Sequence, residues 1–303
     1  MIEINFMDKK NIVILIYMTL ECNIRCYYCV VNFKKEYISF ETIDDIILFI
    51  KKNRNNFGSV SVEFFGGEPL LVFDKIKYFV LNSLDLDIKY KITTNGILIN
   101  NDIIEFFDKY FSSIYISFSN ISIKNLKVLS NIYKYISKNC LKKYAITFIY
   151  HPDKCYKEHF KFLKLIIGIG FKNINILPIY MYKNYTKQDF DNLKIFLFLI
   201  KKINNINYEY FYFMENKIDI EFSIMPDGMC TLDSGETIYD MKNYSNDYIK
   251  IGNIKNLDFI NFINKYEIFN LKEYMKNFLS TGLVKQSFEN FMQLSDILKS
   301  NSK

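Results

Sequence analysis

No stretch of the 303-residue chain is long and apolar enough to cross a bilayer as a helix, which excludes an integral membrane protein of that kind. One run imitates an export signal: Asn11 to Leu20, after Lys9-Lys10. It is short and lacks a small-residue cleavage site, so it reads as a buried strand. There is no basic run either. The net charge of +6 comes from lysines scattered along the whole chain. That is the pattern of solvated helix faces rather than of a nucleic-acid surface, so neither nucleic acid nor membrane is expected as a partner. Histidine is confined to His151 and His159, and arginine to Arg25 and Arg54. Low-complexity segments and internal repeats are absent. Six cysteines, three of them crowded together, fit a reducing, cytoplasmic interior better than a disulfide framework.

Hydrophobic residues make up 50% of the chain and charged ones 24%, an ordinary globular balance. The length suits one large domain or one with a smaller companion. An Ile-rich run at 12–19 has the character of a buried parallel strand. After it, Ser39 stands as an N-cap with Glu41 in the first turn, and Ile43, Ile46, Ile47 and Ile50 share a helical face. The alternation then repeats. Strands are expected at about 60–64, 88–93, 113–118, 143–150 and 172–178, and helices at about 73–84, 101–110, 122–138, 156–168 and 186–203. Six strand–helix units predict a parallel sheet with helices outside, too few for a closed eight-unit barrel. An open doubly wound sheet fits the periodicity equally well. In either case ligands sit at the carboxyl ends of the strands.

Cys22, Cys26 and Cys29 form a CxxxCxxC loop directly after the first strand, with no fourth cysteine nearby. Three thiolates can hold three corners of a four-iron cubane and leave the fourth iron open to a small ligand. Zinc and a structural disulfide are the other uses of close cysteines. Zinc prefers four ligands, and only His151 and His159 stand downstream to help. This loop, with Tyr28 before its last cysteine, resembles that of the radical S-adenosylmethionine (SAM) enzymes. Gly66-Gly67-Glu68-Pro69 resembles that family's GGEP motif, and Thr94-Asn95-Gly96 its TNG segment. All three follow expected strands and so should converge on one mouth.

The resemblance implies a partial (β/α)6 barrel over residues 1–204 and a small α+β extension of SPASM/twitch type over 205–303. It also implies one three-cysteine-ligated 4Fe-4S cluster that binds SAM and cleaves it to a 5′-deoxyadenosyl radical. The lack of Cβ at Gly66 and Gly67 would let backbone approach SAM, and Glu68 would face its amino group. Thr94, Asn95, Ser117 in ISFSN and Leu177 before Pro178 are further candidate cofactor contacts. Ser119 stands where the family has Asp in the segment that ISFSN resembles. The family often carries an Arg on the fifth strand for the SAM carboxylate. Here Lys142 or Lys143 would have to substitute. A flavodoxin- or ferredoxin-type electron donor is the expected protein partner.

In the tail, MPDGMCTLDS resembles the extension's core, but Asp233 stands where the family has cysteine, and no cysteine follows Cys230. An auxiliary cluster with full cysteine ligation is therefore not expected. Two strands, Tyr208–Met214 and Ile218–Ile224, and helices at about 256–266, 269–279 and 286–299 complete the pattern. The tail suggests a ribosomally made peptide as substrate. Cross-linking must dispose of an electron, whereas epimerisation at Cα is redox neutral, so a lone Cys230 fits a thiol that returns the hydrogen atom. Oxidative cross-linking, or a silent peptide-binding relative, are the other outcomes. Only 21 residues precede Cys22, so recognition should fall to the barrel, the tail or another protein.

Overall fold

The computed structural model describes residues 10–29, 31, 33–118, 123–179, 186–203, 207–210, 220–231 and 250–258. The elements alternate as the periodicity requires. They are β1 (Lys10–Thr19), α1 (Phe40–Asn53), β2 (Phe57–Gly66), α2 (Phe73–Leu81), β3 (Ile88–Thr94), α3 (Asn101–Tyr110), β4 (Phe111–Phe118) and α4 (Ile123–Tyr135). Then come β5 (Tyr144–Tyr150), α5 (Tyr156–Ile169), β6 (Asn173–Pro178), α6 (Lys187–Lys201), β7 (Asn207–Tyr210), β8 (Ile220–Ile224), β9 (Met229–Thr231) and β10 (Lys250–Asn253). The described parts of the two expected tail strands appear as β7 and β8. Nearly all of the three expected C-terminal helices, with Asp233 and Ser119, lies outside the described residues.

Two compact units emerge. The first holds residues 1–98, 109–114 and 216–269. In it the strand order is β10-β9-β8-β1-β2-β3, followed by the start of β4. β1 is central and pairs in parallel with both β2 and β8, in register Ile14↔Val62 and Ile14↔Phe222. A strand covered on both sides and both faces must be apolar, and β1 is so from Ile12 to Met18. Its Ile12, Ile14, Ile16 and Met18 are almost wholly buried. On β2 the buried Val60, Val62 and Phe64 alternate with less buried neighbours. α1 begins where Ser39 accepts a hydrogen bond from Thr42 N at 2.9 Å, and it buries Ile43, Ile46, Phe49 and Ile50. The cap is the one expected from sequence, and so is the face, except that Phe49 is buried where Ile47 was expected to be, Ile47 being half-buried.

The second unit holds residues 99–108, 115–215 and 270–303, with strand order β4-β5-β6-β7. β5–β6 and β6–β7 are parallel. All seven residues of β5 are buried. α6 starts with a reciprocal capping box between Thr186 and Asp189.

Beside β5 lies a buried histidine. His159 has no exposed surface, and its ring packs 4.4 Å from Tyr150 and 5.8 Å from Phe196. Its Nε2 lies 2.8 Å from His151 O. Burial, with Lys154 and His151 nearby, pushes its pKa from 6.5 down to about 4. Between these values the unfolded chain binds a proton that the folded chain refuses. The stability that the neutral ring contributes is therefore present above pH 6.5 and lost as pH falls through about 4. The loss expected is about 3 kcal/mol. Urea midpoints at pH 7 and pH 4 should show a fall in the wild type that His159→Phe largely abolishes.

Candidate functional site

The cysteine loop begins where β1 ends. Thr19 fastens its start: its hydroxyl donates to Glu36 O at 2.7 Å and accepts from Glu21 N at 3.0 Å. Leu20 N donates to Glu36 O and Ile38 N to Met18 O, so residues 36–38 clamp the root of the loop. Within the loop, Cys29 N donates to Cys26 O at 3.0 Å. Arg25 reaches back to Cys22 O and Ile24 O, and its guanidinium lies 4.2 Å over the Phe33 ring. Cys22 is buried, while Cys26 and Cys29 are half-buried. Cys29, Phe65 and Met225 each pack against a buried cluster of Leu15, Tyr17, Leu20 and Val31. Tyr28 stands edge-on to Tyr27, with ring centroids 5.2 Å apart.

The second strand end docks onto this loop through backbone. Gly67 N donates to Thr19 O and Glu68 N to Glu21 O, both at 2.8 Å. A Cβ on Gly66 would run into Thr19 O, and one on Gly67 into the carbonyl of Glu21, with Leu20 C at 3.0 Å. Gly66 also has φ +131°, a conformation closed to other residues. The two glycines thus have a structural task besides the one expected of them: their missing side chains admit the backbone of the cysteine loop.

Glu68 joins the third strand end to the other two. Its Oε1 accepts from Thr94 Oγ1 at 2.7 Å and from Leu70 N at 3.0 Å, and its Oε2 accepts from Asn95 N at 2.8 Å. It has no exposed surface, and burial pushes its pKa up against these bonds. The carboxylate expected to face an amino group also serves as an internal brace. Pro69 follows it at the start of a short 3-10 turn, Pro69–Val72. Thr94 Oγ1 also accepts from Gly96 N. Asn95 Nδ2 donates to Asn23 Oδ1 at 2.7 Å and to Cys22 Sγ at 3.8 Å. The three motifs expected to share a mouth are thus bonded to one another.

The other candidates lie on other elements. Ser117 is the penultimate residue of β4, and Leu177 pairs with Ile149 near the end of β6. Lys142 and Lys143 precede β5, at its amino end. Lys143 Nζ donates to Asp108 O at 2.6 Å, so its ammonium serves a carbonyl there. His151 follows β5 and is buried. Cys230 lies on β9, opposite Ile224 and Gly252. It has no exposed surface, its thiol donates to Gly228 O at 3.6 Å, and burial pushes its pKa up. A hydrogen-atom donor here would have to be reached by its peptide through the residues that bury it. The residues that sequence reasoning passed over are Thr19, Asn23 and Arg25. The polar residue closing an apolar strand was the only hint of Thr19.

The donor set suits an iron–sulfur cubane. Burial raises the thiol pKa values of Cys22 and Cys29, and for both the charge of Cys26 adds to the rise. Arg25 opposes the rise at Cys29. Among the described residues no three His, Cys, Asp or Glu side chains close on a single ion. A cubane takes each thiolate on a different iron, so it asks for no such closure.

The chain matches the Radical SAM superfamily over residues 16–197. It is 29% identical over 180 residues to an uncharacterised protein of Methanocaldococcus jannaschii, covering 52% of this chain and 59% of that one. It is 30% identical over 135 residues to an S-adenosylmethionine-dependent nucleotide dehydratase of Psychrobacter lutiphocae, covering 40% and 44%. The chain thus spans about half the length of the curated relatives it matches. In fold it is similar to Streptococcus suis SuiB bound to precursor peptide SuiA. The TM-score is 0.63 at 17% identity, over 83% of this chain and 64% of that one. The architecture is α/β, a partial radical SAM barrel. No described helix is long and apolar enough to cross a membrane. Membership implies a 4Fe-4S cluster and SAM. The match runs well past half of the chain, and this protein belongs to the radical SAM superfamily.

Proposed function

We propose that Cys22, Cys26 and Cys29 ligate one 4Fe-4S cluster at this site, and that the enzyme takes a hydrogen atom from a ribosomally made peptide. The observation that carries the site is the Glu68 carboxylate, which ties the GGEP turn to the TNG turn while Glu68 N grips the cysteine loop. When bound, the cluster supplies the electron that cleaves SAM to methionine and a 5′-deoxyadenosyl radical. The chain's own residues do the rest. Thr19 and Arg25 hold the loop in shape, and Gly66, Gly67 and Glu68 fix its distance from the third strand end. The apolar cluster of Leu15, Tyr17, Leu20 and Val31 that Cys29 packs against keeps water from that side. Tyr28, Pro69, Thr94 and Asn95 frame the place for SAM, with Ser117 and Leu177 as contacts from the later strands. Residues 1–204 are assigned to the barrel and 205–303 to a substrate-side extension. A flavodoxin- or ferredoxin-type protein would supply electrons.

Fold likeness to SuiB, held with a precursor peptide, supports the peptide class. The finer outcome, epimerisation at Cα with Cys230 returning the hydrogen, rests on redox balance, since burial withholds that thiol. The dehydratase relative favours a second reading, a nucleotide substrate. Turnover of precursor peptides in heavy water separates these. Epimerisation exchanges one hydrogen for deuterium without oxidation, and Cys230→Ala should stop that exchange while 5′-deoxyadenosine still forms. Loss of two hydrogens indicates a cross-link. Consumption of a nucleoside triphosphate, with every peptide left unchanged, would overturn the peptide reading.

A further inference from the structure

The TNG turn does more than complete the mouth. Asn95 is held at three points. Its N–H donates to Glu68 Oε2 at 2.8 Å, its Oδ1 accepts from Ile97 N at 3.0 Å, and its Nδ2 donates to Asn23 Oδ1 at 2.7 Å. The bond from Ile97 N fixes which end of the amide is oxygen, so the NH2 end must face the cysteine loop. One amide hydrogen serves Asn23, and the other points at Cys22 Sγ, 3.8 Å away. This contact joins residues 73 apart in sequence, and Cys22 is the most buried of the three loop cysteines.

We propose that Asn95 tunes the reduction potential of the cluster by donating a hydrogen bond to the Cys22 sulfur. The inference rests on the reading that Cys22 is a cluster ligand. The physical reason is general. A cluster gains negative charge on reduction, and a hydrogen bond to a ligand sulfur stabilises the more negative state, raising the potential. Asn95 is then a positioning and tuning residue. The buried Glu68 carboxylate keeps it in place, so a change at the GGEP turn is felt at the first cysteine through Glu68 and Asn95. Electron delivery to SAM would be set in part by an amide in the turn after the third strand.

Asn95→Ser tests this. Serine can still accept from the N–H two residues on, which preserves the turn, but its short side chain cannot reach the sulfur. The reconstituted wild type and the variant are poised at the same solution potential, and reduced cluster is counted by its paramagnetic signal. The variant should show a reduced-to-oxidised ratio about ten-fold lower, or about 59 mV for a one-electron couple. A ratio within two-fold of wild type, at equal iron content, overturns the proposal. A second measurement avoids dependence on that variant's folding. Asparagine is labelled with 15N at the side-chain amide in an Asn23→Ala chain, which leaves Asn95 as the only labelled amide against the loop among the described residues. A weak 15N hyperfine coupling to the reduced cluster is expected, and its absence overturns the proposal. If the wild type forms no four-iron cluster at all, it is the ligand reading that fails.

Discussion

Gly67→Ala should lose 5′-deoxyadenosine formation by about 100-fold or more, the scale that a misplacement of about 1 Å costs a positioned reaction. The added Cβ would collide with the Glu21 carbonyl and the Leu20 backbone, and neither can rotate away as a side chain could. Relief requires the GGEP turn to move off the cysteine loop, breaking the bonds from Gly67 N to Thr19 O and from Glu68 N to Glu21 O. The loop and the turn would then be misplaced together. Gly168→Ala is the control. It lies in α5, and an added Cβ meets nothing within 4 Å. Helix propensity predicts a stability change of up to about 1 kcal/mol in favour of alanine, with activity unaltered. Product formation and cluster content, measured side by side for the two variants, check the prediction. Near-normal activity in Gly67→Ala would mean that the turn does not set the loop's position.

Glu68→Ala should destabilise the protein by about 3–5 kcal/mol, since it orphans two buried N–H groups and a hydroxyl at about 1–3 kcal/mol each. The donors are Leu70 N, Asn95 N and Thr94 Oγ1. Glu68→Gln is the more telling change. Its shape fits, but one end of the amide now presents hydrogens where a backbone N–H already points. A cost of about 1–3 kcal/mol is expected, with a matching fall in iron retention because Asn95 loses its anchor. Denaturant midpoints of the apoprotein, read alongside iron content after anaerobic desalting, test both parts. A Gln variant as stable and as iron-retentive as the wild type would show that Glu68 does not brace the site.

Much of this was legible in the chain because it is local. The apolar run at β1, the Ser39 cap and the period-2 burial of Val60, Val62 and Phe64 are each written in neighbouring residues, and the structure keeps them. The convergence of the three motifs was also legible, since each follows a strand of one parallel sheet. The reasons behind the motif residues were not. What Gly67 must avoid is a carbonyl 46 positions away, and what Asn95 touches is 73 positions away. The bracing task of Glu68 shows only in its three donors, two of them 26 and 27 positions away. Lys143 looked available as a cation until the structure placed it at the amino end of β5 against Asp108. Burial of Cys230 could not be read from composition either, because the turn at 225–228 and the pairing with β8 and β10 enclose it.

The most direct test of the site is the paramagnetic spectrum of the anaerobically reconstituted, reduced protein, recorded with and without SAM. The account predicts a four-iron signal whose shape changes when SAM is added, and which is absent from Cys26→Ser. Iron-loaded protein whose spectrum ignores SAM, or a cluster that survives Cys26→Ser unchanged, would contradict it.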